Sequence, residues 1–267
     1  ATQNGVYSLT VTDANGCSDN DNVLVDILNI DILQGDTSLC LGNSLLISID
    51  TLSNLQNNSN SVIIVPNNYA TIQTAIDSAS TNDTIIVMPG TYNENIVWNN
   101  KNLVIRSYSG SEHTIINGQN LNNVFKISNV DSTSLLEGFT IINGDATTNG
   151  TPSYPLNSGG GINLTGVTSY IKLRNLVVEH CNGANNGSGI YLRTPAKAVL
   201  ENVIVQNNLN GGISISANGA HAILHDVLIS DNANRPGIFI YDSGIEIYNT
   251  EISDNDFSGI SYTGVGY

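Results

Sequence analysis

A short pattern, Gly-Ile-x-Ile/Leu, returns along the chain from residue 161: Gly161-Ile162-Asn163-Leu164, Gly189-Ile190-Tyr191-Leu192, Gly212-Ile213-Ser214-Ile215, Gly237-Ile238-Phe239-Ile240 and a clipped Gly259-Ile260. The glycines lie 28, 23, 25 and 22 residues apart. Recurrence at this period marks a chain that stacks one structural unit on the next. A second string alternates with it, at 173–178, 200–205, 224–229 and 247–252. In each Gly-Ile-x-Ile strand the two aliphatics face inward, and Asn163, Tyr191, Arg193, Ser214, Phe239 and Tyr241 face outward.

Composition narrows the partners. Charged residues are 12% of the chain, with 8 Lys plus Arg against 23 Asp plus Glu, for a formal charge of −15. Nucleic acid is excluded as a general partner, because phosphate binding needs a basic footprint. An anionic polysaccharide meets the same repulsion unless a cation or a local basic patch intervenes. No segment offers the roughly 18 apolar residues of a membrane helix, so no membrane insertion is expected. The three cysteines, at 17, 40 and 181, lack metal-site spacing. Cys181 falls at a strand-to-turn position, where a small buried residue fits.

Before the repeats, residues 6–27 alternate in period two around Asn15-Gly16, which predicts a β-hairpin. Two strands do not stand alone in water, so we expect residues 1–28 to be the hairpin end of a larger sandwich. The string Tyr7-Ser-Leu-Thr-Val-Thr-Asp-Ala-Asn-Gly-Cys17 resembles the close of PKD-type immunoglobulin-like repeats of bacterial surface proteins. Residues 36–42 resemble the opening of a second repeat that does not continue past Ile49. On that resemblance, 29–61 is a partial repeat with a polar linker, and Cys17 and Cys40 belong to separate modules. The chain begins and ends within a pattern, which predicts a C-terminally incomplete segment of a longer multidomain protein, monomeric within it.

Ile72, Ala75, Ile76 and Ala79 recur at helical spacing, predicting one amphipathic helix over 69–79 with Asn67 or Asn68 as N-cap. A single helix ahead of nothing but short strands is best explained as a lid over the open end of a stack. The 200–208, 224–232 and 247–255 strings fit a leucine-rich-repeat formula, whose period overlaps this one. That fold needs a second apolar stretch after the asparagine, whereas here a second strand and a short third one follow. The fold class is therefore all-β, a right-handed parallel β-helix (solenoid) over 62–267 with an N-terminal capping helix, preceded by a partial Ig-like β segment. Two polar columns, Asn175/Asn202/Asp226/Asn249 and Asn208/Asn232/Asn255, are expected to be corner turn formers.

The stretch 65–96, with Thr71-Ile-Gln-Thr-Ala75 and Gly90-Thr-Tyr-Asn-Glu94, resembles the cap and first coil of the pectin-lyase-like right-handed β-helix superfamily. The resemblance implies the fold. It leaves activity open, because lyases, hydrolases, esterases and inert adhesins share that coil. The esterase motifs are absent, and the adjacent Asp pair of a polygalacturonase-like hydrolase is absent too. Glu201, Asp226 and Glu246 could approach one another across rungs, as could any acidic residues on such a stack.

Four of the eight basic residues, Lys172, Arg174, Arg193 and Lys197, lie between 172 and 197 against one acid, Glu179. Cations beside aromatic faces can hold an acidic sugar, and β-elimination needs the sugar carboxylate neutralised while a base removes the adjacent proton. This gives Lys172, Arg174 and His180 as candidate catalytic residues. Candidate substrate-binding residues are Tyr191, Arg193, Lys197, Phe239 and Tyr241, with the insertion 145–158 as a groove wall. The alternative is a solvated ion-pair column of Glu137, Arg174, Glu201 and His225. His221 and His225 are read as surface residues without a third metal ligand. No cofactor is identified, and calcium is the one cation left open. The leading functional expectation is an extracellular or bacterial cell-surface module that binds polysaccharide. The alternatives are a fragment of a lyase acting on uronic-acid polymers and a structural spacer.

Overall fold

The computed structural model describes residues 5–12, 18–25, 60–148, 158–183, 187–217 and 219–264, and the chain divides into two compact units, Ala1–Asn54 and Leu55–Tyr267. In the first unit, β1 (Gly5–Thr12) pairs antiparallel with β2 (Ser18–Val25), in a register running from Thr12↔Ser18 to Gly5↔Val25. The expected Asn15-Gly16 turn, Cys17, Cys40 and the partial second repeat lie outside the described residues.

The second unit is a stack of parallel strands with three faces. The first face is built from β3 (Val62–Val65), β4 (Thr84–Val87), β7 (Val104–Ser107) and β10 (Leu135–Glu137), then by the opening halves of β13 (Ile171–Glu179), β15 (Lys197–Gln206) and β17 (His221–Ser230), and by β19 (Gly244–Tyr248). The second face carries β5 (Gly90–Asn93), β8 (Thr114–Asn117) and β11 (Thr140–Ile142), the closing halves of the same three long strands, and β20 (Glu251–Ser253). The third face is β6 (Ile96–Asn99), β9 (Phe125–Ser128), β12 (Ile162–Thr165), β14 (Ile190–Arg193), β16 (Ile213–Ser216), β18 (Ile238–Tyr241) and β21 (Ile260–Thr263). All of these pairings are parallel, and Ile162, Ile190, Ile213, Ile238 and Ile260 stand in one register. Inward aliphatics are therefore stacked rung upon rung, and those of the middle coils are buried.

The two polar columns have different jobs. Asn175, Asn202, Asp226 and Asn249 hold positive φ between 45° and 55° where first face bends into second, a backbone that Asn and Asp tolerate better than most residues. Their side chains link successive rungs, as in Asn202 Nδ2 to Asn175 Oδ1 at 2.8 Å. The other column is an internal ladder. Asn208 and Asn232 are wholly buried. Asn208 donates from its backbone N–H and its side-chain amide to Asn232 Oδ1 (3.1 and 3.0 Å), and Asn232 repeats the pattern onto Asn255 Oδ1 (3.1 and 2.9 Å). Cys181 holds the first place in the column, its N–H donating to Asn208 Oδ1 at 3.0 Å.

This ladder explains the glycines of the repeat. A Cβ on Gly189, Gly212 or Gly237 would come within 2.9 Å of the next rung's glycine carbonyl and within 3.0 Å of the ladder amide of its own rung. Only a residue without a side chain leaves room there.

Helix α1 (Ile72–Ser78) is shorter than expected, and its N-cap is Thr71, whose side chain accepts from Thr74 N–H, rather than Asn67 or Asn68. Ile72, Ala75 and Ile76 are buried against the first coil. Glu94 accepts the Ile72 and Gln73 N–H groups, both at 2.9 Å, and so satisfies two orphan donors of the first turn. Gln73 receives the Val97 N–H (2.7 Å) and donates to the Val97 carbonyl (3.1 Å), as a neighbouring strand would. Lys101 Nζ bonds the Ile76 and Asp77 carbonyls at the other helix end. The 71–75 and 90–94 motifs thus build the lid.

Candidate functional site

The basic window is divided among faces. Glu137, Arg174, Glu201, His225 and Tyr248 stand in register on the first face. Arg174 Nε lies 3.2 Å from Glu137 Oε1, and His225 stacks on Tyr248 with centroids 4.6 Å apart and rings 10° from parallel. Two neighbouring pairs of this column are thus in contact, and the partly exposed ion pair is worth under about 1 kcal/mol. Lys172 is exposed on the same face, two residues before Arg174. His180 sits at the other end of β13, beyond Glu179, at φ 54° on the corner between second and third faces. There its Nδ1 is 3.7 Å from Glu179, and it lines a hollow of about 530 Å³ together with Asp145 and Asp231. Eight residues separate Lys172 from His180, up to roughly 26 Å of strand. The three lyase candidates are not brought to one reacting centre.

Tyr191 is the clear correction. Alternation along β14 points it outward, towards a ligand, yet it is 1% exposed. The third face is roofed over its middle coils, where Asn163, Tyr191 and Ser214 are buried, by the chain entering each strand. Gly159, at φ 67°, lies so close that a Cβ would stand 2.8 Å from Tyr191 Cβ, and one on Gly187 would collide with Ser214. Asn123 and Asn163 tie the roof down by donating to the Ser158 carbonyl at 2.9 and 2.8 Å. Lys126, in the same column, is pushed below the usual lysine range by burial. The rest of the expected wall, 149–157, lies outside the described residues.

Where the roof ends, the face opens. Phe239 is half-buried and Tyr241, at the strand's end, is exposed. Phe239 lines a groove of about 550 Å³ with Phe257, Arg235, Pro236, Asn210, Asn234, Ser258 and Ser261. Phe257 is 64% exposed, which leaves a free aromatic surface beside Arg235. The corner fixes the amides: Asn210 Nδ2 donates to Asn182 Oδ1 and the Gly183 carbonyl, and Asn234 Nδ2 donates to the Leu209 carbonyl. None of the lining residues is acidic. Aromatic surface with a few convergent polar groups is what small polar-apolar ligands require. The larger hollow of about 680 Å³ around Asn202, Asp226, Asn249 and Glu251 has acids and no aromatic ring.

Sequence reasoning found Phe239 but missed Phe257, Arg235, Asn210 and Asn234. A signal was present. Asn210, Asn234 and Phe257 each follow a ladder asparagine by two residues, so aligning the coils on that column brings them together.

Cys181 is a buried free thiol, and burial pushes its pKa up to about 12, so it is no nucleophile at neutral pH. Among the described residues no group of three His, Cys, Asp or Glu could hold a metal ion, and no helix is long and apolar enough to cross a membrane.

Comparison with known proteins gives three findings. Residues 119–267, more than half of the chain, match the family described as right handed beta helix region. No curated protein matches the chain. A crystal structure of pectin methylesterase in complex with a hexasaccharide is similar at 12% identity, over 72% of this chain and 67% of that one, with a TM-score of 0.41.

Proposed function

The chain belongs to the right-handed β-helix family, and from that premise we propose that it is a glycan-contacting module. Its binding surface is the open part of the third face. The observation that carries this is the groove where Phe239 and the exposed Phe257 flank Arg235, Asn210 and Asn234 without a carboxylate among its lining. A pyranose offers an apolar face to an aromatic ring and hydroxyls to amides and guanidinium, and the groove holds both kinds of partner. The stack suits an extended polymer, since each rung advances the surface by about 4.8 Å. An extracellular or cell-surface location, and a PKD-type immunoglobulin-like origin for residues 1–28, belong to the same proposal. The latter is supported by the β1–β2 hairpin and the 7–17 string.

The test is a glycan array probed with the intact chain and with Phe257→Ala. A defined set of bound glycans, lost at least tenfold in Phe257→Ala at unchanged thermal midpoint, is expected. No glycan bound by the native chain would overturn the proposal.

A further inference from the structure

We propose that the corner between third and first faces is a second contact, made for a single acidic substituent on an otherwise neutral glycan; it rests on the glycan-contacting reading above. Lys172, Arg193 and Lys197 border it, Arg193 from the third face and the two lysines from the first. Arg193 ends β14 on the third face and Lys197 opens β15 on the first. The turn between them is closed by Ala196 N–H to the Arg193 carbonyl at 2.8 Å and held to the rung above by Lys197 N–H to the Val167 carbonyl at 2.9 Å. Lys172 stands opposite Val199, two residues past Lys197 on the same outward side, a diagonal neighbour at roughly 7–8 Å. Lys197 Nζ rests 5.7 Å from the centroid of the Tyr170 ring. That ring is itself fixed by its hydroxyl, 3.2 Å from His221 Nδ1.

Three of the eight basic residues of a chain with charge −15 therefore share one corner, and none of the three forms an ion pair among the described residues. Arg174, by contrast, is occupied by Glu137. A guanidinium with two ammonium groups suits one carboxylate or sulfate, the guanidinium supplying a bidentate fork. A densely charged polymer fits poorly, because the rest of the molecule repels it. The corner lies two rungs from Phe239 in register, roughly 10 Å along the stack and roughly 13 Å across the face. One oligosaccharide can span both contacts.

The experiment compares equilibrium binding of the full chain to immobilised hydroxyethyl cellulose and to sparsely carboxymethylated cellulose, at about 25 mM and about 300 mM salt. Binding to the carboxymethylated polymer should be about tenfold tighter at low salt. The preference should vanish at high salt and in the Lys172→Gln/Arg193→Gln/Lys197→Gln variant, whose weaker binding to the neutral polymer stays native. Equal affinity for the two polymers, no binding to the carboxymethylated one at low salt, or a triple variant that keeps the preference would each overturn the corner site. Phe257→Ala reports on the groove separately, by weakening binding to both polymers alike.

Discussion

The side-chain amide of Asn232 fills the space that a Cβ on Gly212 would enter, the two lying 3.0 Å apart if that carbon is added. The repeated glycine and the buried asparagine are thus one device written 20 residues apart. Gly212→Ala pushes the amide off the Val205, Ser230 and Asn255 oxygens it bonds. We expect a loss of about 2–3 kcal/mol, the cost of overpacking with broken buried bonds, read by urea unfolding. Asn232→Ala should cost about as much. The double variant should cost clearly less than the sum, because both substitutions break the same bonds. Additive losses would show the two residues to be independent.

Tyr191→Ala should destabilise the protein by about 3 kcal/mol through loss of a fully buried ring, while Tyr241→Ala, at an exposed site, should stay within about 0.5 kcal/mol of native. Chemical unfolding of the pair decides it. Equal effects would contradict the roof over the middle coils of the third face.

Glu94→Ala removes the acceptor for two N–H groups of the α1 first turn. A loss of about 1–2 kcal/mol is expected. Hydrogen exchange should be faster at Ile72 and Gln73 and unchanged at Ile213.

Cys181, studied in a Cys17→Ser/Cys40→Ser background, should resist thiol reagents at pH 8 until the protein is unfolded. Its folded pKa lies above the ordinary value of 9.0, so the folded state favours the neutral thiol. That contribution is fully present below about pH 9 and is lost as pH rises towards about 12. Rapid modification of the native protein at pH 8 would contradict the burial.

The coil was legible because its signal is periodic: Ile190, Ile213 and Ile238 are spaced by whole turns, and whole turns fall in register. The lid was legible for a similar reason, since Ile72, Ala75 and Ile76 share one helical face. Tyr191 was not, because alternation says which way a side chain points and nothing about what the chain lays over it. Its cover, Gly159, comes from more than 30 residues upstream, outside the pattern. The asparagine column is legible as a set of corner residues, but its burial is not, because a turn former and a buried ladder use the same residue type. Phe257 was missed because it interrupts the repeat, and period-based reasoning discounts interruptions.

The amide of Gln73 meets both hydrogen-bonding groups of Val97. An extended segment of another molecule arriving at that edge finds its docking partners already taken. Fibril-like accretion, the standing hazard of parallel ribbons, is thereby denied a template at the β6 edge by one glutamine.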